Sequence, residues 1–339
     1  MEFAVEFAFE LYGVVVDSAP WLLFGFVAAG VIHLFISDDF VASHLGRGRV
    51  LPVIKSALLG VPLPICSCGV VPLAVGLRQR GASKGAALSF MISTPETGID
   101  SILYTSALLD PVMTVMRPVS AFISAVTAGA VETFFGGGEE KRGPAPLNLP
   151  TFQGGARTPL GMAAEAIEYG LGSLYYSLAG YLAAGLVIAA LISALIPEGF
   201  FLQYLGDGFL GRLAMLAVAT PMYICATAST PIAAAMILKG LSPGAALVLL
   251  LAGPATNVAS ISALAGMMGW RTTFRYLLTI SISALLMGWL VDELYVLLGT
   301  SPSAVMGGAA EAIPEWVGVV SALVLILAWL RLLVKRRFG

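Results

Sequence analysis

Charge is scarce in this sequence. Of 339 residues, 18 are Lys or Arg and 20 are Asp or Glu, which makes 11% in all. A soluble domain carries about a quarter charged residues, so an ordinary globular enzyme or binding module is excluded. Basic runs suited to nucleic acid are missing, and the net charge is only −2. Cysteine is nearly absent: three residues cannot close a disulfide framework. No Walker A pattern occurs, so the chain hydrolyses no ATP by itself. The first twenty residues, MEFAVEFAFELYGVVVDSAP, have no basic stretch ahead of their apolar part and do not read as a cleaved signal peptide. Glu2, Glu6 and Glu10, spaced by four, mark instead an amphipathic or interfacial helix.

Apolar residues are abundant, at 58%, with a mean hydropathy of +0.92. Runs of bilayer-spanning length recur, so the expected fold class is an all-α integral membrane protein in contact with lipid. Candidate spans are 19–37, 51–77, 85–108, 112–135, 173–196, 210–237, 244–268, 275–298 and 315–334. Residues 136–160 are rich in Gly and Pro, carry both charge signs and read as a linker. A short amphipathic piece at 161–172 follows it. Arg331, Lys335, Arg336 and Arg337, just past the last span, predict a cytoplasmic C-terminus.

The chain resembles itself. Residues 62–102 align with 221–261 at a constant offset of 159, without a gap, and 15 of 41 positions are identical. Pro62/Pro221, Cys66/Cys225, Pro72/Pro231, Pro95/Pro254 and Thr97/Thr256 fall in register. Two repeats of about four spans with proline-broken helices are therefore expected, over residues 1–135 and 161–300, with 136–160 as linker and a C-terminal span and basic tail over 301–339. In duplicated transporters the substrate site forms near the midplane, where helices are discontinuous. The candidate breaks, and so the candidate pore lining, are PLPICSCGVVP with ISTPETG in the first half and PMYICATASTP with LAGPATN in the second. Pro62, Pro72, Thr94, Pro95, Thr97, Pro221, Pro231, Pro254, Thr256 and Asn257 belong to them. Four plain crossings per half give parallel repeats. One segment that turns back without crossing gives inverted ones.

Cys66 and Cys68 point about 200° apart on an ideal helix but to the same side of an unwound stretch. Two thiols on one side can share a soft ion, because thiolates select Cu(I), Zn and similar species. Cys225 could supply a third sulfur from the other half. A buried cysteine is otherwise a small hydrophobe. Glu96 and Asp100, four apart, face Ala255 and Ala259 in the repeat, so acid lies on one side only, as suits a proton or cation path. The alternative for Glu96 is a water-exposed loop. Thr97, Thr256 and Asn257 offer polar groups to a substrate or cap half-helices. His33 and Met222 are the weaker ligand candidates.

The stretch PLPICSCGVVPLAVGLRQRGASKGAALSFMISTPETGIDSI resembles the bacterial predicted-permease family that includes the organoarsenical efflux permease ArsP and a branch of copper/zinc efflux permeases. The resemblance implies export of a toxic soft metal or metalloid across the inner membrane, with no cofactor. It assigns Cys66, Cys68, Pro95, Glu96, Thr97 and Asp100 to the family motif. Some members carry a His/Cys-rich central stretch, and residues 136–160 contain neither residue. Two other readings stay open at this level. Cys66 and Cys225 could form a reversible disulfide in an intramembrane electron carrier, or the chain could be a channel or uptake permease for another small solute. A homo-oligomer is compatible with every reading.

Overall fold

The computed structural model describes residues 2–35, 41–46, 48–63, 65, 67–136, 161, 166–175, 179–180, 183, 187, 208–220, 226–300, 302 and 315–338. Every element among them is helical. The first part holds α1 (Glu2–Phe35), α2 (Leu51–Gly60), α3 (Ser67–Gln79), α4 (Lys84–Thr97), α5 (Ile99–Leu108) and α6 (Pro111–Phe135). The second holds α7 (Phe209–Ala219), α8 (Ala226–Leu238), α9 (Pro243–Ala255), α10 (Val258–Met268), α11 (Trp270–Leu298) and α12 (Glu315–Phe338). π-helical turns occupy Ala42–Gly46 and Glu168–Leu174. The interfacial helix expected at the N-terminus is continuous with the first span, in α1. Most of the 136–160 linker and of the 173–196 span lies outside the described residues.

Local chemistry sets the boundaries. The hydroxyls of Ser83 and Ser242 accept from the amides of Ala86 and Ala245, capping α4 and α9. Asp110 caps α6 through the Met113 amide, and Asn257 caps α10 through the Ser260 amide. Gly81 (φ 100°) and Gly240 (φ 97°) adopt the left-handed backbone that lets the chain reverse between α3 and α4 and between α8 and α9. Pro95 and Pro254 lie just before the ends of α4 and α9, and the helices break there. Pro72 and Pro231 depart from the expectation. They lie in the second turn of the continuous helices α3 and α8, where a proline removes one hydrogen bond, to the carbonyl four residues back, without ending the helix. Pro62 sits in the turn after α2. Pro221 lies outside the described residues.

The long helices are the reverse of soluble ones. On α11, Phe274, Leu278, Ile282, Leu286 and Trp289 are exposed, while Tyr276, Ser283, Ala284 and Gly288 are buried. On α6, Val115, Val119 and Ile123 face out, and Arg117, Ser120, Ser124 and Glu132 face in. Large apolar groups outside and small or polar groups inside suit a hydrocarbon surround. α6 and α11 are each long and apolar enough to cross a membrane, and α9 with the following helix forms a further candidate, bent by 52°.

The stretches read as single spans over 51–77 and 210–237 are helical hairpins. The amide of Ser83, past the end of α3, donates to the carbonyl of Leu45, ahead of α2, at 2.9 Å. The ends of the α2–α3 pair are thus together. In the second half, Asp292 accepts from Arg212 near the start of α7 (2.6 Å) and from Ser242 just past α8 (3.3 Å), so the ends of α7–α8 are also together. Around each hairpin, α2 packs on α4 and α4 on α6; α7 packs on α9 and α9 on α11. A Cβ added at Gly129 would lie 2.6 Å from the Gly85 carbonyl, and one at Gly288 would lie 2.6 Å from the Gly244 carbonyl. These four glycines are two pairs related by the 159 offset.

Candidate site at the broken helices

The tip of the first hairpin meets the break of the second half. Ser67, between the two motif cysteines, accepts a hydrogen bond from Asn257 Nδ2 at 3.0 Å, and both residues are buried. Asn257 also donates to the Pro254 carbonyl at 3.1 Å and caps α10 with its Oδ1. The N-termini of α3 and α10 therefore abut. Ser67 begins α3, and Cys68 is its second residue. Cys66, Cys225 and Met222 lie outside the described residues. Cys68, Asp100 and His33 are described by backbone alone, on α3, α5 and α1.

The opposite junction is built around Arg117, in the second turn of α6. Its guanidinium donates to Thr105 Oγ1 (2.7 Å), Thr230 Oγ1 (2.8 Å) and the Ala226 carbonyl (3.0 Å), and pairs with Glu96 at 3.4 Å. Both charged side chains are fully buried, so Glu96 is not in a water-exposed loop. The pair ties the α4–α5 break of the first half to the first turn of α8 in the second. At the repeat-equivalent positions stand Tyr276 and Ala255, and the Tyr276 hydroxyl donates to the Ala255 carbonyl at 2.7 Å. The first is an ion pair between side chains, and the second is an uncharged bond to the backbone.

Thr94, Thr97 and Thr256 are committed to their own helices. They donate to the carbonyls of Phe90, Ser93 and Ala252, each at 2.7 Å. Of the residues weighed as caps or ligands at the breaks, Asn257 performs the capping and also joins the halves. Sequence reasoning missed Arg117, although a charge inside an apolar run beside Pro118 is a signal by itself. It missed Ser67 as well, because a serine carries little weight between two cysteines.

Further ties hold the halves together along α6 and α11. Glu132 binds Arg275 through both carboxylate oxygens, at 2.8 and 3.0 Å, and takes a hydrogen bond from Thr272 at 2.9 Å. The hydroxyls of Ser124 and Ser283 are 2.6 Å apart. Tyr295 donates to Asp110 at 2.6 Å. As residue numbers fall along α6 they rise along α11, so the two helices are antiparallel.

Apolar helices with hydrocarbon-facing exteriors, broken in the interior where polar side chains and a buried ion pair gather, define a multi-pass membrane permease, a transporter and not an enzyme. The chain belongs to the ArsP_1 family of predicted permeases, which matches residues 6–293. It is 24% identical over 315 residues to the UPF0718 protein MJ0584 of Methanocaldococcus jannaschii, covering 76% of this chain and 86% of that one. It is 26% identical over 255 residues to the UPF0718 protein YraQ of Escherichia coli, covering 74% and 71%. A Streptococcus mutans protein named as a subunit of a two-component membrane permease complex is 22% identical over 82 residues, covering 24% of this chain and 27% of that one. No solved structure matches the chain.

Proposed function

We propose that the protein is a secondary efflux permease for a thiophilic metal or metalloid, a trivalent organoarsenical or Cu/Zn, in the bacterial inner membrane. Cys66 and Cys68, with Cys225, bind the cargo transiently. The observation that carries this reading is the Ser67–Asn257 hydrogen bond, which sets the cysteine motif of one half against the helix break of the other. A site shared between two halves is what alternating access requires.

The same reading makes the halves inverted repeats. In its support, α2 to α6 match α7 to α11 at the 159 offset, and equivalent helices α6 and α11 run antiparallel through the contact of the equivalent residues Ser124 and Ser283. The two hairpins then enter from opposite faces, while α4–α5 and α9–α10 are broken spans. With the basic tail cytoplasmic, the Glu132–Arg275 end of the α6/α11 pair is cytoplasmic too.

Glu96 and Asp100 serve proton coupling. Protonation of Glu96 weakens its hold on Arg117, and Arg117 holds α8, so proton binding on one half alters a contact to the other. The test is growth of a metal-sensitive bacterial strain on copper, zinc, arsenite and methylarsenite. The intact protein confers resistance to at least one of them, and the Cys66→Ser/Cys68→Ser variant does not. Resistance that survives removal of both sulfurs rejects the reading. Transport in proteoliposomes that ignores a proton gradient rejects the coupling.

A further inference from the structure

The three ties along α6 and α11 are not equivalent. Ser124 and Ser283 occupy the same position in the two repeats, so their contact is its own image. The outer two have no counterpart. The repeat positions of Asp110 and Tyr295 hold Gly269 and Gly136, and those of Glu132, Thr272 and Arg275 hold Val291, Met113 and Met116. Val291 and Met113 belong to one apolar cluster, with Met116 packed on it. The duplicated fold therefore packs these helices without a polar tie at the image positions, and each outer tie is an addition at one end only.

Their placement is informative. The length of α6 between Asp110 and Glu132 is about 33 Å, close to the hydrocarbon thickness of about 30 Å. The outer ties thus stand at opposite ends of the membrane-crossing length, with the serine contact between them. Both are substantial. Tyr295 is buried, and its hydroxyl lies 2.6 and 2.7 Å from the two Asp110 oxygens. Glu132 is buried and accepts from Arg275 twice and from Thr272 once. Each seam helix is also fixed to the broken helix of its own half, α6 to α4 and α11 to α9, at the glycine contacts. Rocking of α6 against α11 about the serine contact opens one outer tie, presses the other shut and carries the broken helices with it.

We propose that Asp110–Tyr295 and Glu132–Arg275 are the two gates of the transport cycle, opened in alternation, with Ser124–Ser283 as their pivot. The inference rests on the alternating-access part of the function proposed above, and not on the cargo or the cysteines. Both gates are closed in this structure, as in an occluded form. With the basic tail cytoplasmic, Glu132–Arg275 is the inner gate and Asp110–Tyr295 the outer one.

The test is amide hydrogen exchange, read by mass spectrometry, on full-length protein in nanodiscs with no cargo added. Monodispersity of each variant by size exclusion serves as the folding control. Tyr295→Phe removes only the hydroxyl of the outer gate. Loss of one hydrogen bond to a charged group predicts a shift of about tenfold in the ratio of outward-open to inward-open protein. Exchange then rises over 110–114 and 291–299 and falls over 130–136 and 269–275. Glu132→Gln is expected to do the reverse, and Thr272→Val, the milder change at the same gate, to do so in smaller measure. The double variant Tyr295→Phe/Glu132→Gln, with both gates weakened, should return toward the intact pattern. Ties that only staple helix ends predict faster exchange at the altered end alone, and at both ends in the double variant. Either result overturns the proposal, and so does exchange unchanged in all the variants. Reciprocal exchange in a protein that confers no resistance to copper, zinc, arsenite or methylarsenite rejects the cargo reading and leaves the gates standing.

Discussion

At Arg117 a positive charge is fully buried within the protein, and its neighbours explain how it is tolerated. Glu96 supplies the counter-charge, and two threonine hydroxyls and a carbonyl absorb other donors. Truncation would leave Glu96 buried and uncompensated, which costs about 3–5 kcal/mol. Arg117→Ala is therefore expected to lower the thermal midpoint in detergent sharply. The double variant Glu96→Gln/Arg117→Met, which removes both charges, should recover much of the loss. A double variant as unstable as the single one would show that the charge pairing is not what matters there. Glu96 was legible in the sequence because a carboxylate in an apolar run stands out. Its partner was not, since 21 residues separate them and only the antiparallel packing of α4 on α6 brings them together.

Between residue and fold stand the helix contacts. Gly85 with Gly129, and Gly244 with Gly288, let α4 approach α6 and α9 approach α11 backbone to backbone. A methyl group at Gly129 or Gly288 forces these pairs apart. Overpacking of this kind costs about 1–3 kcal/mol, so Gly129→Ala and Gly288→Ala should each reduce the yield of monodisperse protein and the thermal midpoint. Alanine at Gly13, where nothing lies within 4 Å, should not. The broken helices were legible from Pro95 and Pro254. The hairpins were not, because an apolar run such as 51–77 is long enough to cross once or to enter and return. Hydrophobicity does not separate the two; the hydrogen bond between Ser83 and Leu45 does. Prolines also misled. Pro72 and Pro231 match across the repeat as well as the helix-ending pair, yet they fall early in helices that continue.

Over the whole molecule, the offset of 159 was the most informative feature of the sequence, and the boundaries of α2 to α6 and α7 to α11, the Ser83 and Ser242 caps and the two glycine contacts fall at it. Sequence could not orient the halves, because orientation depends on whether each hairpin crosses. Inverted halves predict that epitopes inserted after Leu109 and at Gly299 report one membrane face and an epitope at Gly269 the other. Parallel halves would put 109 and 269 together. Ser124→Cys with Ser283→Cys should crosslink under mild oxidation, since their hydroxyls already touch. The central claim is that one cargo site is made by both halves, Cys66 and Cys68 from one and the helix break with Cys225 from the other. Accumulation of methylarsenite in everted membrane vesicles tests it most directly. Cys68→Ser, in the first half, and Asn257→Ala, in the second, should each abolish or severely reduce uptake. Full uptake by the Asn257→Ala variant, with Cys68→Ser inactive, would contradict a site shared between the halves.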